Sequence, residues 1–199
     1  MKPGFFEKFY FCFTGIAALI GWNSILTAFD FFGDKYPDYN VDFLMPLPQF
    51  FTSIITTAMM GKISKYMGIN NRFYINYTIL LFLFVAFPMV ANFVSGATGF
   101  TIVMVLFGIV GSANSISQSS GYGLGSKMPM ECVAWLTTGT GVSGIIINVV
   151  RMLCLVIFGS EGEDAVTNGA IAYFCVSGFI LLCVIFMHAK FSRSKFFKY

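Results

Sequence analysis

The stretch FYINYTILLFLFVAFPMVANFVSGATGFTIVMVLFGIVGSANSISQSSGYGLGS, residues 73–126, decides the fold because its 54 residues include no Asp, Glu, Lys or Arg. A helix needs about 20 mainly apolar residues to cross a bilayer, so the stretch is too long for one crossing and suits two. Asn, Ser, Gly and Thr cluster at 92–99, which is typical of a loop. The stretch therefore predicts two membrane-spanning helices, at 73–91 and 100–122.

Four similar apolar segments flank this pair. They are predicted at 9–29, 43–61, 132–158 and 169–187. Hydrophobic residues make up 57% of the chain and charged residues 11%, whereas a soluble domain carries about a quarter charged residues. This composition excludes a soluble domain. We expect an all-α integral membrane protein in which residues 1–199 form a single six-helix bundle.

The loops carry charge asymmetrically. Ten basic residues fall at one end of the predicted helices: Lys2, Lys8, Lys62, Lys65, Arg72, Lys127, Lys190, Arg193, Lys195 and Lys198. The other end carries Lys35 with Asp34, Asp38, Asp42, Glu161, Glu163 and Asp164. Because basic loops stay on the cytoplasmic side, both termini are expected there or on its topological equivalent. The plasma membrane and an organelle such as the mitochondrion both remain open as locations.

The sequence lacks the residue patterns of enzymes and metal sites. It contains no HExxH motif, no nucleophile elbow and no carboxylate pair placed for acid–base chemistry. Its five cysteines lie in apolar segments without a CxxC pair, and its single histidine, His188, is expected at a membrane interface. No basic stripe with interleaved aromatics indicates nucleic-acid binding. We expect a protein that is not an enzyme and that uses no metal or cofactor.

Polar residues recur at helical spacing within three of the apolar segments. The first segment carries Trp22, Asn23, Thr27 and Asp30; the fourth carries Gly111, Asn114, Ser115, Gln118, Tyr122 and Gly125; the fifth carries Thr137, Gly141, Gly144, Asn148 and Arg151. Helix packing is one explanation, since small residues let helices approach closely. Amides and a guanidinium are costly in hydrocarbon and usually face a bundle interior or a wet cavity. We therefore predict that these stripes share an interior that forms a solute pathway.

Asp30 and Arg151 carry opposite charges at the same predicted end of the first and fifth segments. An ion pair between them is one expectation. The alternative is that each side chain extends separately to the nearby membrane interface.

Three stretches of sequence that carry these polar residues resemble, in order along the chain, sequence motifs of the equilibrative nucleoside transporter family. They are GWNSILTAFDFF at 21–32, QSSGYGLG at 118–125 followed by Pro129, and GTGVSG at 139–144 followed by Arg151. The resemblance implies the amino-terminal half of a major-facilitator-like transporter. It implies that Trp22 packs against a nucleobase, that Gln118 hydrogen-bonds to the edge of the base, and that Asn23 faces the same cavity. It also implies structural or gating roles for Asp30, Asn114, Gly139, Gly141, Gly144, Asn148 and Arg151.

The sequence departs from the family pattern at several positions. Gly21 stands where the family usually has proline, and Asn114 stands where members often have glycine. Thr140 replaces a glutamine between two glycines, and Gly125 follows Leu124 without the usual alanine. Family members continue with further helices that supply charged substrate-binding residues, beyond the six predicted here.

Two classes of function follow. In the first, the chain pairs with another half, as a homodimer or with a separate chain, and moves nucleosides or nucleobases down their gradient. In the second, it is a non-transporting accessory subunit of a larger membrane complex, for which an organelle is a suitable home. We expect the chain to be a natural protein of half the family's length rather than a fragment of a longer one. The expected partners are the lipid bilayer and a second membrane subunit that covers the polar face, with a nucleoside as the candidate ligand.

Overall fold

The computed structural model of the chain describes residues 2–159, 162–194 and 196–197. Helix is the regular secondary structure of these ranges, and they contain no strand. The helices are α1 (Phe5–Thr27), α2 (Phe29–Lys35), α3 (Val41–Leu44), α4 (Pro46–Tyr66), α5 (Ile69–Phe93), α6 (Gly96–Gly125), α7 (Met130–Phe158) and α8 (Glu163–Phe191). Among the described residues, six helices are long and apolar enough to span a membrane, and α3 continues into the second of them. The prediction of an all-α membrane protein is confirmed.

The helix boundaries differ from the predicted ones by a few residues. α1 begins at Phe5, ahead of Lys8, because lysine side chains extend to the interface while the helical hydrogen bonds continue. The same helix ends at Thr27, and the short α2 follows where one continuous segment was predicted to reach residue 29. The predicted loop at 92–99 narrows to residues 94–95, because Gly96 turns the chain with a φ of 67°.

α1 is the central helix of the bundle and packs most closely against α7. A Cβ atom added at Gly15 would lie 2.0 Å from the backbone oxygen of Leu136, and one added at Gly139 would lie 2.0 Å from that of Cys12. Such distances are shorter than any van der Waals contact. The two glycines therefore allow the backbones of α1 and α7 to touch, which is how small residues commonly serve in membrane helices.

His188 lies fully buried among the helices of the bundle. Its depth in a membrane is not fixed by this burial, and the interfacial position stays a prediction. Its Nδ1 shares a hydrogen bond of 2.7 Å with the hydroxyl of Tyr10, which joins α8 to α1. The ring of Phe73 on α5 lies 4.6 Å away, centroid to centroid. The contacts of His188 were not predictable from its place in the sequence, because they come from two helices that are distant along the chain.

Contacts between distant segments place both ends of the described chain at one end of the bundle. Lys8 on α1 forms an ion pair of 2.7 Å with Glu131 at the start of α7. The Tyr10–His188 bond brings the end of α8 to the same place. We call this the terminal end of the bundle. Which side of a membrane it faces stays a prediction, and Glu161, Lys195 and Lys198, used for that prediction, lie outside the described residues.

Candidate substrate-facing surface

Five residues of the predicted site keep part of their surface exposed in the described bundle. Trp22 and Asn23 on α1 and Gln118 on α6 are half-buried, while Gly141 and Asn148 on α7 are exposed. We call these five residues the open polar face. The helical spacing that the sequence showed therefore places these residues on the rim and the surface of the bundle rather than in a closed interior.

Trp22 lies between α1 and α4. Its ring packs against that of Phe50 with centroids 5.4 Å apart and planes tilted by 59°. Phe50 is itself 53% exposed, so the pair forms an aromatic border of the open polar face. Phe50 was absent from the predicted site, because nothing in the sequence distinguishes it from the many phenylalanines around it.

Asn23 is held by α7. Its Nδ2 donates a hydrogen bond of 2.9 Å to the hydroxyl oxygen of Ser143, which is fully buried. A Cβ atom at Gly144 would lie 3.9 Å from the same Nδ2, so this glycine adjoins the amide. The sequence placed Ser143 inside the glycine motif at 139–144 without assigning it a role, and the structure shows that it positions Asn23.

The predicted polar stripe of α6 is divided among several neighbours. A Cβ atom at Gly111 would lie 2.2 Å from the backbone oxygen of Gln49, so α6 touches α4 there. One turn further, the hydroxyls of Ser115 and Ser53 are 2.6 Å apart. Gly125 instead packs on α7, where a Cβ atom would meet Val133 at 3.3 Å. The stripe is divided because α6 has helices on several sides, and three- and four-residue spacing covers a broad sector of a helix.

Two departures from the family pattern lie against each other. A Cβ atom at Gly21 would lie 2.9 Å from Oδ1 of Asn114, and Asn114 is 5% exposed. Neither polar atom of the Asn114 amide has a hydrogen-bond partner among the described residues. Asn114 thus fills the space that the missing side chain of Gly21 leaves between α6 and α1, on the side of α6 that also carries Gln118 one turn away.

The glycines at 139–144 lie on different sides of α7. Gly139 lies in the close crossing of α1 and α7, whereas a Cβ atom at Gly141 would have no atom within 4 Å among the described residues. Asn148 is exposed and its Nδ2 donates a hydrogen bond of 2.8 Å to the backbone oxygen of Gly144. The side-chain oxygen of Asn148 is therefore available on the open polar face.

Asp30 and Arg151 form the ion pair that the sequence suggested, between α2 and α7 at the end of the bundle opposite the terminal end. The two side chains are 66% and 35% exposed, respectively. They line a cavity of about 230 Å³ together with Thr27 and Tyr173. The pair ties the first and fifth spanning helices together beside this cavity.

Because both partners are partly exposed, we expect a coupling free energy of about 0.2–1 kcal/mol between Asp30 and Arg151. A double-mutant cycle with Asp30→Asn, Arg151→Gln and the combined variant, followed by thermal unfolding in detergent, measures it. The coupling should shrink as salt is added. A coupling free energy above about 2 kcal/mol that does not change with salt concentration would contradict the exposed geometry, since solvent-exposed ion pairs do not reach that value.

The six long apolar helices of the described residues define a multi-pass membrane protein. A family model described as Nucleoside transporter matches residues 101–199. Equilibrative nucleotide transporter 8 of Arabidopsis thaliana is 28% identical over 173 residues, which cover 85% of this chain and 44% of the relative. Equilibrative nucleotide transporter 4 of the same plant is 25% identical over 192 residues, or 94% and 46% of the two chains.

A relative from an animal matches in the same way. Equilibrative nucleoside transporter 4 of Danio rerio is 22% identical over 188 residues, which cover 93% of this chain and 35% of the relative. These matches confirm the resemblance to the equilibrative nucleoside transporter family that the motifs indicated. The chain spans less than half the length of the curated relatives it matches.

Proposed function

We propose that this six-helix unit forms one wall of a cavity for nucleosides or nucleobases, and that a second helical unit covers its open polar face. The observation that carries the proposal is that the side chain of Gln118 is only half-buried and that Gly141 and Asn148 are exposed in the described bundle. The transporter relatives support a role in solute movement and do not suggest an enzyme.

The open polar face is poorly suited to lipid. None of the described residues hydrogen-bonds to the side-chain amide of Gln118, and the amide of Asn148 uses only its Nδ2. An amide without partners in hydrocarbon costs on the order of kcal/mol. Water in a central cavity, or polar groups of a second unit, would satisfy these amides.

The chemistry of the face suits a nucleobase. The indole of Trp22 offers a flat apolar surface for stacking, which contributes about 1–3 kcal/mol per base in other proteins. Gln118 offers both a donor and an acceptor to the edge of a base. Asn23 is oriented by Ser143, so its remaining oxygen can accept a hydrogen bond without reorganisation. A ligand held by these three groups would be recognised by shape and by hydrogen bonding rather than by charge.

Movement of the ligand would follow from rocking of this unit against the second one around a central site. The close crossing of α1 and α7 makes those two helices move together. We place the terminal end of the bundle on the cytoplasmic side or its equivalent, from the charge asymmetry. The plasma membrane and an organelle remain alternatives for the location.

Uptake of radiolabelled uridine and adenosine into liposomes tests the proposal, once the oligomeric state of the purified chain has been measured. We expect no saturable uptake from a monomer, because one wall cannot alternate access. We expect saturable uptake from a homodimer or a native assembly, and we expect Gln118→Ala to abolish it.

Saturable, Gln118-dependent uptake by a proven monomer would show that no second unit is needed. A stable native complex with other chains, without uptake or nucleoside binding, would instead favour the second candidate function, an accessory subunit. That function uses the same open polar face, with a protein partner in place of a transport cavity.

A further inference from the structure

A second polar pocket lies at the terminal end of the bundle, where α4 ends, α5 begins and α6 ends. Its volume is about 520 Å³. Its polar lining includes Ser64 on α4 and Arg72 on α5. Ser119 in the second half of α6 and Lys127, just after that helix, complete it. None of the five residues of the open polar face is among the described residues that line this pocket, so the two sites are distinct.

The pocket is electrostatically positive. Arg72 and Lys127 both line it, and no carboxylate is among its described lining residues. Nη1 of Arg72 donates a hydrogen bond of 3.1 Å to the hydroxyl of Ser64, which holds the guanidinium at the pocket wall. Nε of Arg72 is buried and has no hydrogen-bond partner within the described part of the chain. A half-buried guanidinium with no carboxylate among the described lining residues favours an anion in the pocket, because its positive charge is otherwise uncompensated there.

We propose that this pocket binds a phosphate group, carried either by an anionic lipid or by a soluble phosphate compound. The planar guanidinium of Arg72 can donate two parallel hydrogen bonds to phosphate oxygens. Lys127 adds a second positive charge, and the hydroxyls of Ser64 and Ser119 are further donors. Basic pockets between membrane helices on the positively charged side suit lipid head groups in general.

Apolar residues complete the pocket and bear on the source of the phosphate. Met60, Met67 and Ile69 line it beside the charged groups. An acyl chain could follow them, and so could the apolar face of a small organic phosphate. Both sources share the same recognition by Arg72 and Lys127, and the binding measurements must separate them. The inference does not depend on the proposed transport of nucleosides.

Two arms of one experiment test the pocket on the full chain in neutral detergent. In the lipid arm, native mass spectrometry follows binding of dioleoyl phosphatidic acid, with dioleoylglycerol as the phosphate-free control. In the soluble arm, equilibrium dialysis follows radiolabelled inorganic phosphate. We expect at least one phosphate-bearing probe to bind and dioleoylglycerol not to bind at this site.

Variants assign the binding to the pocket. Arg72→Gln should weaken it about 10-fold or more, because charged hydrogen bonds are lost. Lys127→Gln should weaken it about threefold, as loss of a single exposed charge does. Lys65→Gln removes the same charge from an exposed residue of α4 that does not line the pocket, and it should leave binding within about twofold. Arg72→Lys keeps the positive charge but loses the paired hydrogen bonds of the guanidinium. Its affinity for the probe should lie between that of Arg72→Gln and that of the unmodified protein.

The outcomes are decisive. Binding of phosphatidic acid alone identifies a lipid site, and binding of inorganic phosphate identifies a soluble ligand. Absence of binding by either probe at millimolar concentration would overturn the proposal. So would equal weakening by Arg72→Gln and Lys65→Gln, which would mean a diffuse surface charge. If Arg72→Gln fails to elute as a folded species, Arg72→Lys and Ser119→Ala give the same comparison.

Discussion

Replacing Gly139 with alanine should push α1 and α7 apart and lower the free energy of unfolding by about 3 kcal/mol. The added Cβ atom would lie 2.0 Å from the backbone oxygen of Cys12. A backbone atom in the middle of a helix cannot move aside as the tip of a flexible side chain can. The loss should exceed the gain of about 1 kcal/mol that alanine normally brings to a helix in place of glycine.

Gly141 provides the matched control, since it lies on the same helix two residues away and faces open space. Gly141→Ala should change the unfolding free energy by no more than about 1 kcal/mol, in the stabilising direction. Thermal unfolding in detergent, followed by circular dichroism and by size-exclusion elution, measures both variants. Equal stability of the Gly139 and Gly141 variants would contradict the close crossing of α1 and α7.

Nucleoside binding should be reported by the fluorescence of Trp22. The chain has two tryptophans, so Trp135→Phe leaves Trp22 as the sole indole at the open polar face. Adenosine added to this variant should change its emission, because a base stacked on the indole alters its surroundings. In that background, Gln118→Ala should weaken binding about 10-fold or more through the lost hydrogen bonds to the base edge.

The reciprocal variant, Trp22→Phe, keeps only Trp135. This residue is 41% exposed and lies six positions before Gly141, which places it about 120° away around α7. Its emission should stay constant on addition of adenosine. A similar response from Trp135 and Trp22, or an unchanged affinity in Gln118→Ala, would remove the assignment of the open polar face as a nucleoside site. The measurement should be made on the oligomer that the purified chain forms.

The number of spanning helices was predictable because the hydrocarbon of the bilayer excludes charged side chains. A charged side chain in hydrocarbon is so unfavourable that the runs between Lys8, Arg72 and Lys127 mark the crossings almost directly. The Asp30–Arg151 pair was predictable for a related reason, since the alternation of the helices places both charges at one depth. The depth of a residue in the membrane follows from its position along a spanning helix, because each residue of an α-helix advances by about 1.5 Å.

Direction around each helix was much harder to predict. His188 and Tyr10 are separated by 178 residues and meet only because α8 docks beside α1. The pocket around Arg72 likewise takes its lining from three helices, and no single segment reveals it. Three- and four-residue spacing shows which residues share one side of a helix. It does not show which other helix packs against that side, since this depends on the arrangement of all six helices.

The contact between Gly21 and Asn114 couples two positions at which this chain departs from the family pattern. In the family pattern the first position is usually proline and the second often glycine. A larger residue at position 21 overlaps the amide of Asn114, because its Cβ atom would lie 2.9 Å from Oδ1 of that amide. The overlap falls on the end of the Asn114 side chain, so a side chain at position 21 is accommodated only if that amide shifts. Substitutions at positions 21 and 114 should therefore have non-additive effects on the free energy of unfolding, because the two residues are in contact.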